Sequence, residues 1–191
     1  MLDNGPYAVD VLVNWWDSSL PWFVPGCVLA FVVSTLASGR VARWLGVRRP
    51  VAWVLLMSVG VILAATMTPL HVEFRLDFPP LQTCDLSRIG PAPIDELRLH
   101  SDVLGNILMF VPLGFAIALV PRSRRKAAVL AAAVALPFVI EATQLLVVSL
   151  DRACESADVA DNLTGLVLGL AAGALVAWLL PTLGRAVGLS D

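Results

Sequence analysis

Five long stretches of the chain are almost entirely apolar, and short polar segments separate them. Four of these stretches contain no Asp, Glu, Lys or Arg, and the remaining one contains the single charge Glu141. A helix needs about 20 apolar residues to cross a bilayer core roughly 30 Å thick, and its backbone must be hydrogen bonded within the segment. Barrel strands would alternate polar and apolar residues with period two, which these stretches do not. The pattern therefore predicts transmembrane helices within Ser18–Gly39, Pro50–Leu70, Val103–Pro121, Ala127–Leu150 and Leu163–Gly184.

The composition agrees with a membrane protein and excludes several other classes. Of 191 residues, 58% are hydrophobic and 15% are charged, whereas a soluble domain carries about 25% charged residues. The net charge of −2 provides no basic field for DNA or RNA. We therefore predict an all-α, polytopic transmembrane helical bundle of about five spans, with the lipid bilayer as its partner and no nucleic-acid partner.

Arginine and lysine are concentrated in two of the connecting segments, which predicts how the chain crosses the membrane. The segments between spans one and two and between spans three and four hold, in order, Arg40, Arg43, Arg48 and Arg49, then Arg122, Arg124, Arg125 and Lys126. The first 17 residues hold no Lys or Arg, and the segment 151–161 holds only Arg152. Cytoplasmic loops are enriched in positive charge, so we predict the N-terminus outside, the C-terminus inside, and a multi-pass location in the plasma membrane.

Polar side chains gather at the predicted outer ends of spans three, four and five. Glu141 is expected roughly nine residues, or about 14 Å, from the outer end of span four, with Gln144 on the same helical face. Ionisable residues inside a membrane are costly and usually functional. We therefore predict a shared binding site at this level, composed of Asp102, Asn106, Glu141, Gln144, Arg152, Asp158, Asp161 and Asn162.

The chemistry of this acidic cluster stays open at the level of sequence. It is compatible with a site for a hard cation, an acid–base pair formed by Glu141 and Asp158, or a pocket for a polar headgroup. The competing interpretation is structural, because acids near helix N-termini complement the helix dipole and amides hydrogen bond between helices. Glu141 is the residue that the structural interpretation explains least well.

Glycines and cysteines add two further predictions. Gly165, Gly169 and Gly173 recur every fourth residue in span five, a spacing that lets another helix approach closely. Cys84 and Cys154 both fall in predicted external segments, where oxidising conditions permit disulfides. The sequence leaves a disulfide and two free thiols both open. Neither cysteine belongs to a zinc motif, so no metal site is predicted.

Four short motifs follow one another along spans three to five. They are Asn106-Ile-Leu-Met-Phe-Val-Pro112-Leu-Gly114, Glu141-x-x-Gln144, Arg152-x-Cys154-Glu155 and Asp158-x-x-x-Asn162-x-x-Gly165-x-x-x-Gly169. In order and spacing the chain resembles the VanZ-like family of bacterial membrane proteins, which is named for a teicoplanin-resistance protein. The resemblance covers roughly Thr66 to Trp178, and Glu155 stands where members often have Asp. It implies a compact helical membrane module without an assigned activity or cofactor.

The apolar stretches and the resemblance together suggest a division of the chain. Residues 1–19 are expected to form an external amphipathic segment in the outer interface, although an irregular tail is the alternative. Residues 20–65 hold the first two transmembrane helices, the second ending near residue 70. Residues 66–178 form the VanZ-like domain, including the external loop 72–102, and residues 179–191 form a cytoplasmic tail.

Three functions are compatible with the sequence. The favoured one is a non-enzymatic accessory or binding protein of the cell envelope, whose outward polar pocket binds an envelope lipid headgroup or a glycopeptide and so affects teicoplanin sensitivity. The second is a membrane enzyme that acts on a lipid-linked precursor, although no HExxH motif or phosphate-binding glycine loop is present. The third is a small proton- or ion-coupled transporter, for which inverted repeats are not evident. No cofactor is expected.

Overall fold

The computed structural model describes residues 22–69, 83–93 and 101–186. The N-terminal segment 1–19 lies outside the described residues, as do much of the loop 72–102 and the end of the tail. The described helices are α1 (Phe23–Leu45), α2 (Arg49–Thr66), α3 (Ser101–Ala118), α4 (Arg124–Leu146) and α5 (Ser156–Ala186), and a 3-10 turn (Val148–Leu150) follows α4.

The predicted fold class is confirmed. Four helices are long and apolar enough to cross a membrane, namely α1, α2, α4 and the part of α5 from Ser156 to Leu179, and the apolar part of α3 is shorter, Asp102–Ala118. The described residues thus form a helical membrane bundle of about five spans. The direction in which the chain crosses the membrane stays a prediction.

Two helix ends differ from the expected ones. Helix α1 continues past Arg40 and ends before Gly46, whose left-handed backbone (φ 70°) and N–H bond to the Ala42 carbonyl close it, as glycine commonly does. Helix α4 ends at Leu146, because the chain turns into the 3-10 segment there. Glu141 is therefore five residues from the end of α4, about 7.5 Å, and closer to it than expected.

Helix α5 packs between α3 and α4, α2 packs against α3, and α1 packs mainly against α2. The contact between α3 and α5 depends on glycine. A Cβ placed on Gly165 would collide with the backbone carbonyl group of Ile107, and one on Gly169 would lie 2.8 Å from the backbone nitrogen of Phe115. Gly173 likewise faces Phe115, whose carbonyl oxygen would be 2.7 Å from its Cβ. At these glycines the backbones of α3 and α5 are therefore in direct contact.

The two basic connecting segments lie at the same end of the bundle. The Arg125 guanidinium, at the start of α4, donates to the Trp44 carbonyl at the end of α1, and its Cζ lies 5.8 Å from the centre of the Trp44 ring. Lys126 donates to the carbonyl of Ala118, the last residue of α3, at 2.9 Å. This end also carries Arg49, whose side chain donates to the Ser38 hydroxyl at 3.1 Å. The acidic and amide residues predicted as a site gather at the opposite end.

Candidate functional site

A short segment before α3, residues 83–93 and here called the cap segment, is fixed over the start of α5. Cys84 and Cys154 form a disulfide with their Cα atoms 4.6 Å apart. Beside it, the Asp85 N–H donates to the Cys154 carbonyl and the Ser156 N–H donates to the Asp85 carbonyl, both at 2.8 Å. Asp85 and Glu155 thereby form an isolated parallel bridge. One covalent and two backbone bonds hold the cap segment to the connection between α4 and α5.

An ion pair anchors the other part of the cap segment. Arg88 makes two parallel hydrogen bonds to the Asp161 carboxylate, Nη1 to Oδ1 at 2.9 Å and Nη2 to Oδ2 at 2.6 Å. The Ser156 hydroxyl donates to the Arg88 carbonyl at 2.8 Å. Asp161 is fully buried, with 0% of its side chain exposed. Arg88 is not among the residues predicted from the sequence, although a buried aspartate in a membrane helix needs a cationic partner.

Glu141 and Gln144 are both buried near the end of α4. Glu141 is 5% exposed, and its Oε2 accepts a hydrogen bond from the Glu155 N–H at 2.8 Å. The Gln144 amide donates to the Thr66 carbonyl at 3.1 Å. Its oxygen Oε1 has no hydrogen-bond partner among the described residues. Glu141 thus binds the backbone just before α5, and Gln144 binds the last residue of α2.

Arg152 also hydrogen bonds to backbone carbonyls at the end of α2. Its Nε donates to the Thr68 carbonyl at 3.1 Å and its Nη2 donates to the Ala65 carbonyl at 2.6 Å. Ala65 lies in the last turn of α2 and Thr68 lies two residues after its end, where backbone acceptors lack intrahelical partners. Burial lowers the pKa of the Arg152 guanidinium, and the carboxylates of Asp158 and Glu141 act in the opposite direction. The arginine therefore lies close to both acids while its donors are bonded to α2.

The other predicted residues occupy the first two turns of α3 and α5. Asp102 is exposed and Asn106 is half-buried on α3, and Asp158 is half-buried in the first turn of α5. Acids at these positions complement the helix dipole. Asn162 is 1% exposed, and its side-chain oxygen has no hydrogen-bond partner within the described ranges. The structure therefore brings the predicted residues to one end of the bundle. Several of them form hydrogen bonds or an ion pair within the protein.

A cavity of about 820 Å³ lies between α4 and α5, below the cap segment. Its wall is mainly apolar and includes Phe138, Leu145, Val159, Leu163, Val167 and Leu168. Both disulfide cysteines line it, as do the polar residues Glu141, Glu155, Ser156 and Thr164. Of the eight predicted binding residues, only Glu141 lines this cavity. Sequence reasoning missed the cavity because its lining residues cannot be distinguished from lipid-facing ones.

Phe138 and Val167 show where the cavity opens. They are 52% and 61% exposed although they line the cavity, so it opens on the lateral face of the bundle. That face of α4 and α5 belongs to the membrane-crossing segments. The arrangement is a groove open to lipid with one buried carboxylate at its upper end. Within the described residues, no group of three or more His, Cys, Asp or Glu side chains is arranged to hold a metal ion.

Comparison with known families places the whole bundle in one group. The sequence profile of the VanZ/LLP1 family matches residues 22–180. The matched range includes α1 and α2, which the resemblance over Thr66 to Trp178 had left out. No curated protein and no solved structure matches the chain. Because the profile runs from the start of α1 into α5, the chain belongs to the VanZ/LLP1 family.

Proposed function

We propose that this protein is a binding or accessory protein of the bacterial plasma membrane that holds an amphiphilic molecule of the cell envelope. The apolar chain of that molecule lies in the cavity between α4 and α5, and its polar end lies at Glu141. The observation that carries the proposal is the lateral cavity of about 820 Å³ with a buried carboxylate in its wall. Cavities of this size accommodate a small amphiphile.

The physical setting explains which part of the ligand gives selectivity. An apolar chain gains little by moving from lipid into an apolar groove, because lipid tails are as apolar as the groove. A polar end group gains more, because a partner for it within a bilayer is scarce. The position of Glu141 beside the cap segment therefore determines which molecules bind, while the groove sets the length and shape of the chain.

An effect on glycopeptide sensitivity is the finer part of the proposal. A protein that holds an envelope lipid headgroup, or the glycopeptide itself, alters the amount of antibiotic that reaches its target. Teicoplanin sensitivity is expected to change when the chain is expressed and to return toward that of the host when Glu141→Gln and Asp158→Asn are combined. Unchanged sensitivity with normal membrane insertion would remove this finer part. A lipid-acting enzyme and an ion-coupled transporter remain the alternatives, and no observation on the described residues favours either.

The cavity itself is tested by filling it. Ala142 lines the cavity, whereas Ala131 lies on the same helix, is exposed and is not among the lining residues. The full chain in lipid nanodiscs is labelled with a neutral, photoreactive lipid, and the labelled peptides are identified by mass spectrometry. Ala142→Trp should abolish labelling of the lining segments of α4 and α5, and Ala131→Trp should leave it unchanged. Equal labelling in both variants would refute a binding cavity at this place.

A further inference from the structure

We infer that the cavity selects amphiphiles whose polar end is a protonated amine, over amphiphiles that end in a phosphate or a carboxylate. This inference rests on the proposed function and names the ligand class of the same site. Two observations carry it: the charge of the lining side chains, and the direction of the hydrogen bonds that the lining groups already make.

Among the residues that the structure describes, the charged ones in the cavity wall are Glu141 and Glu155, and neither a lysine nor an arginine of the described ranges lines it. Of the described arginines near the cavity, Arg88 binds Asp161, and Arg152 donates to the carbonyls of Thr68 and Ala65. A phosphate in the cavity would meet these two carboxylates in the wall, whereas an ammonium group would find its natural partner there.

The uncharged polar groups of the wall point to the same ligand. The Ser156 hydroxyl donates its hydrogen to the Arg88 carbonyl, and the Thr164 hydroxyl donates its hydrogen to the Ala160 carbonyl at 2.7 Å. The backbone N–H groups of Glu155 and Ser156 are used as well, by Glu141 and Asp85. These four donors are thus occupied, and the same side chains offer a ligand acceptor oxygens.

The Glu141 carboxylate offers the best of these acceptors. Its Oε2 accepts a hydrogen bond from the Glu155 N–H, and a carboxylate has about four lone-pair sites, so it can accept further hydrogen bonds. A phosphate or carboxylate of a ligand is itself an acceptor and would face this carboxylate without a hydrogen between them, whereas an ammonium group brings three donors and no acceptor. Charge and hydrogen-bond direction therefore both favour the amine, and they do so at one carboxylate.

The experiment compares amphiphiles that differ only in their end group. The full chain in phosphatidylcholine nanodiscs is labelled with the neutral photoreactive lipid described above, and oleylamine, oleyl alcohol and oleyl phosphate are added as competitors. Oleylamine is expected to displace the label from α4 and α5 at about tenfold lower concentration than oleyl phosphate, the factor expected for one charge-assisted hydrogen bond. Equal or better displacement by oleyl phosphate would overturn the inference.

Variants assign the preference to the carboxylates. Glu141→Gln and Glu155→Gln should each reduce the preference for oleylamine. If Glu141→Gln does not fold, Glu155→Gln still tests the inference, because it keeps the backbone N–H that binds Glu141. Asp151→Asn removes a carboxylate outside the cavity wall and should preserve the preference. An amine preference that survives both glutamate variants would refute the role of these residues. If the neutral probe labels the cavity but amines are not preferred, only this inference fails; if nothing labels the cavity, the proposed function fails too.

Discussion

Replacing Gly169 by alanine tests the close contact between α3 and α5. The new Cβ would lie 2.9 Å from the Val111 carbonyl carbon and 2.8 Å from the Phe115 nitrogen, and closer still to the Val111 oxygen. Carbon atoms in good contact are about 3.5–4.0 Å apart. The opposing atoms belong to a helix backbone and cannot rotate away as a side chain would. The two helices must therefore separate along their interface.

The magnitude follows from two opposing contributions. Overpacking a tight contact costs about 1–3 kcal/mol, and the upper value applies here because three backbone atoms oppose the methyl group. Alanine recovers about 1 kcal/mol through its higher helix propensity. The net loss is then about 2 kcal/mol, or roughly a 30-fold change in the unfolding equilibrium. Gly105→Ala is the matched control, because no atom of the described residues lies within 4 Å of the Cβ that this position of α3 would carry.

The measurement is an SDS titration of the full chain in mild detergent micelles, followed by tryptophan fluorescence. Gly169→Ala should unfold at a clearly lower SDS fraction than the parent chain, and Gly105→Ala at the same or a slightly higher one. If both alanine variants unfold together with the parent chain, the backbones of α3 and α5 are not in contact and the arrangement of the bundle described above is wrong.

Three further predictions concern the opposite end of the bundle. Arg88→Met leaves the buried Asp161 carboxylate without its cation and should cost about 3–5 kcal/mol, which SDS unfolding measures; the double variant Arg88→Met/Asp161→Leu should recover most of this loss, and the pairing is wrong if it does not. Cys84 and Cys154 are 70 positions apart, so reducing their disulfide should destabilise the chain by up to about 4 kcal/mol, because the unfolded chain gains entropy. The SDS midpoint of unfolding should therefore be lower in dithiothreitol, and an unchanged midpoint would contradict this prediction. A cysteine at Asp151 should react with an impermeant maleimide in intact cells as fully as in permeabilised ones, and protection in intact cells would reverse the predicted orientation.

Most of the fold could be predicted because lipid leaves the backbone few alternatives. An apolar stretch of sufficient length must be a helix, so the number and order of the helices followed from hydrophobicity alone. Helix ends were less certain, because counting charges does not locate them. Arg40 continues α1, since a long basic side chain reaches the membrane surface from within a helix, and the backbone stops at Gly46. That glycine was the available signal.

From the sequence, only the depth of the candidate site in the membrane could be predicted. Sequence spacing places Glu141, Arg152 and Asp161 at one end of the bundle, and the structure has them there. Spacing does not reveal which side chains form hydrogen bonds or ion pairs within the protein, because these bonds join segments that are distant in the sequence. Arg88 lies 73 positions from Asp161, and Arg152 lies 84 from Thr68. The apolar cavity, formed by residues with no distinguishing pattern, was beyond sequence reasoning for the same reason.

The bond between Cys84 and Cys154 closes a covalent ring that contains all of α3 and α4. Its second sulfur emerges during synthesis only after both helices have been made, so ring closure is a late event of biogenesis and needs an oxidant on the side where the cap segment lies. Production in a reducing cell-free system would yield the open ring. Such material would contain every helix, and yet the roof of the lipid-facing groove would be held only by noncovalent contacts.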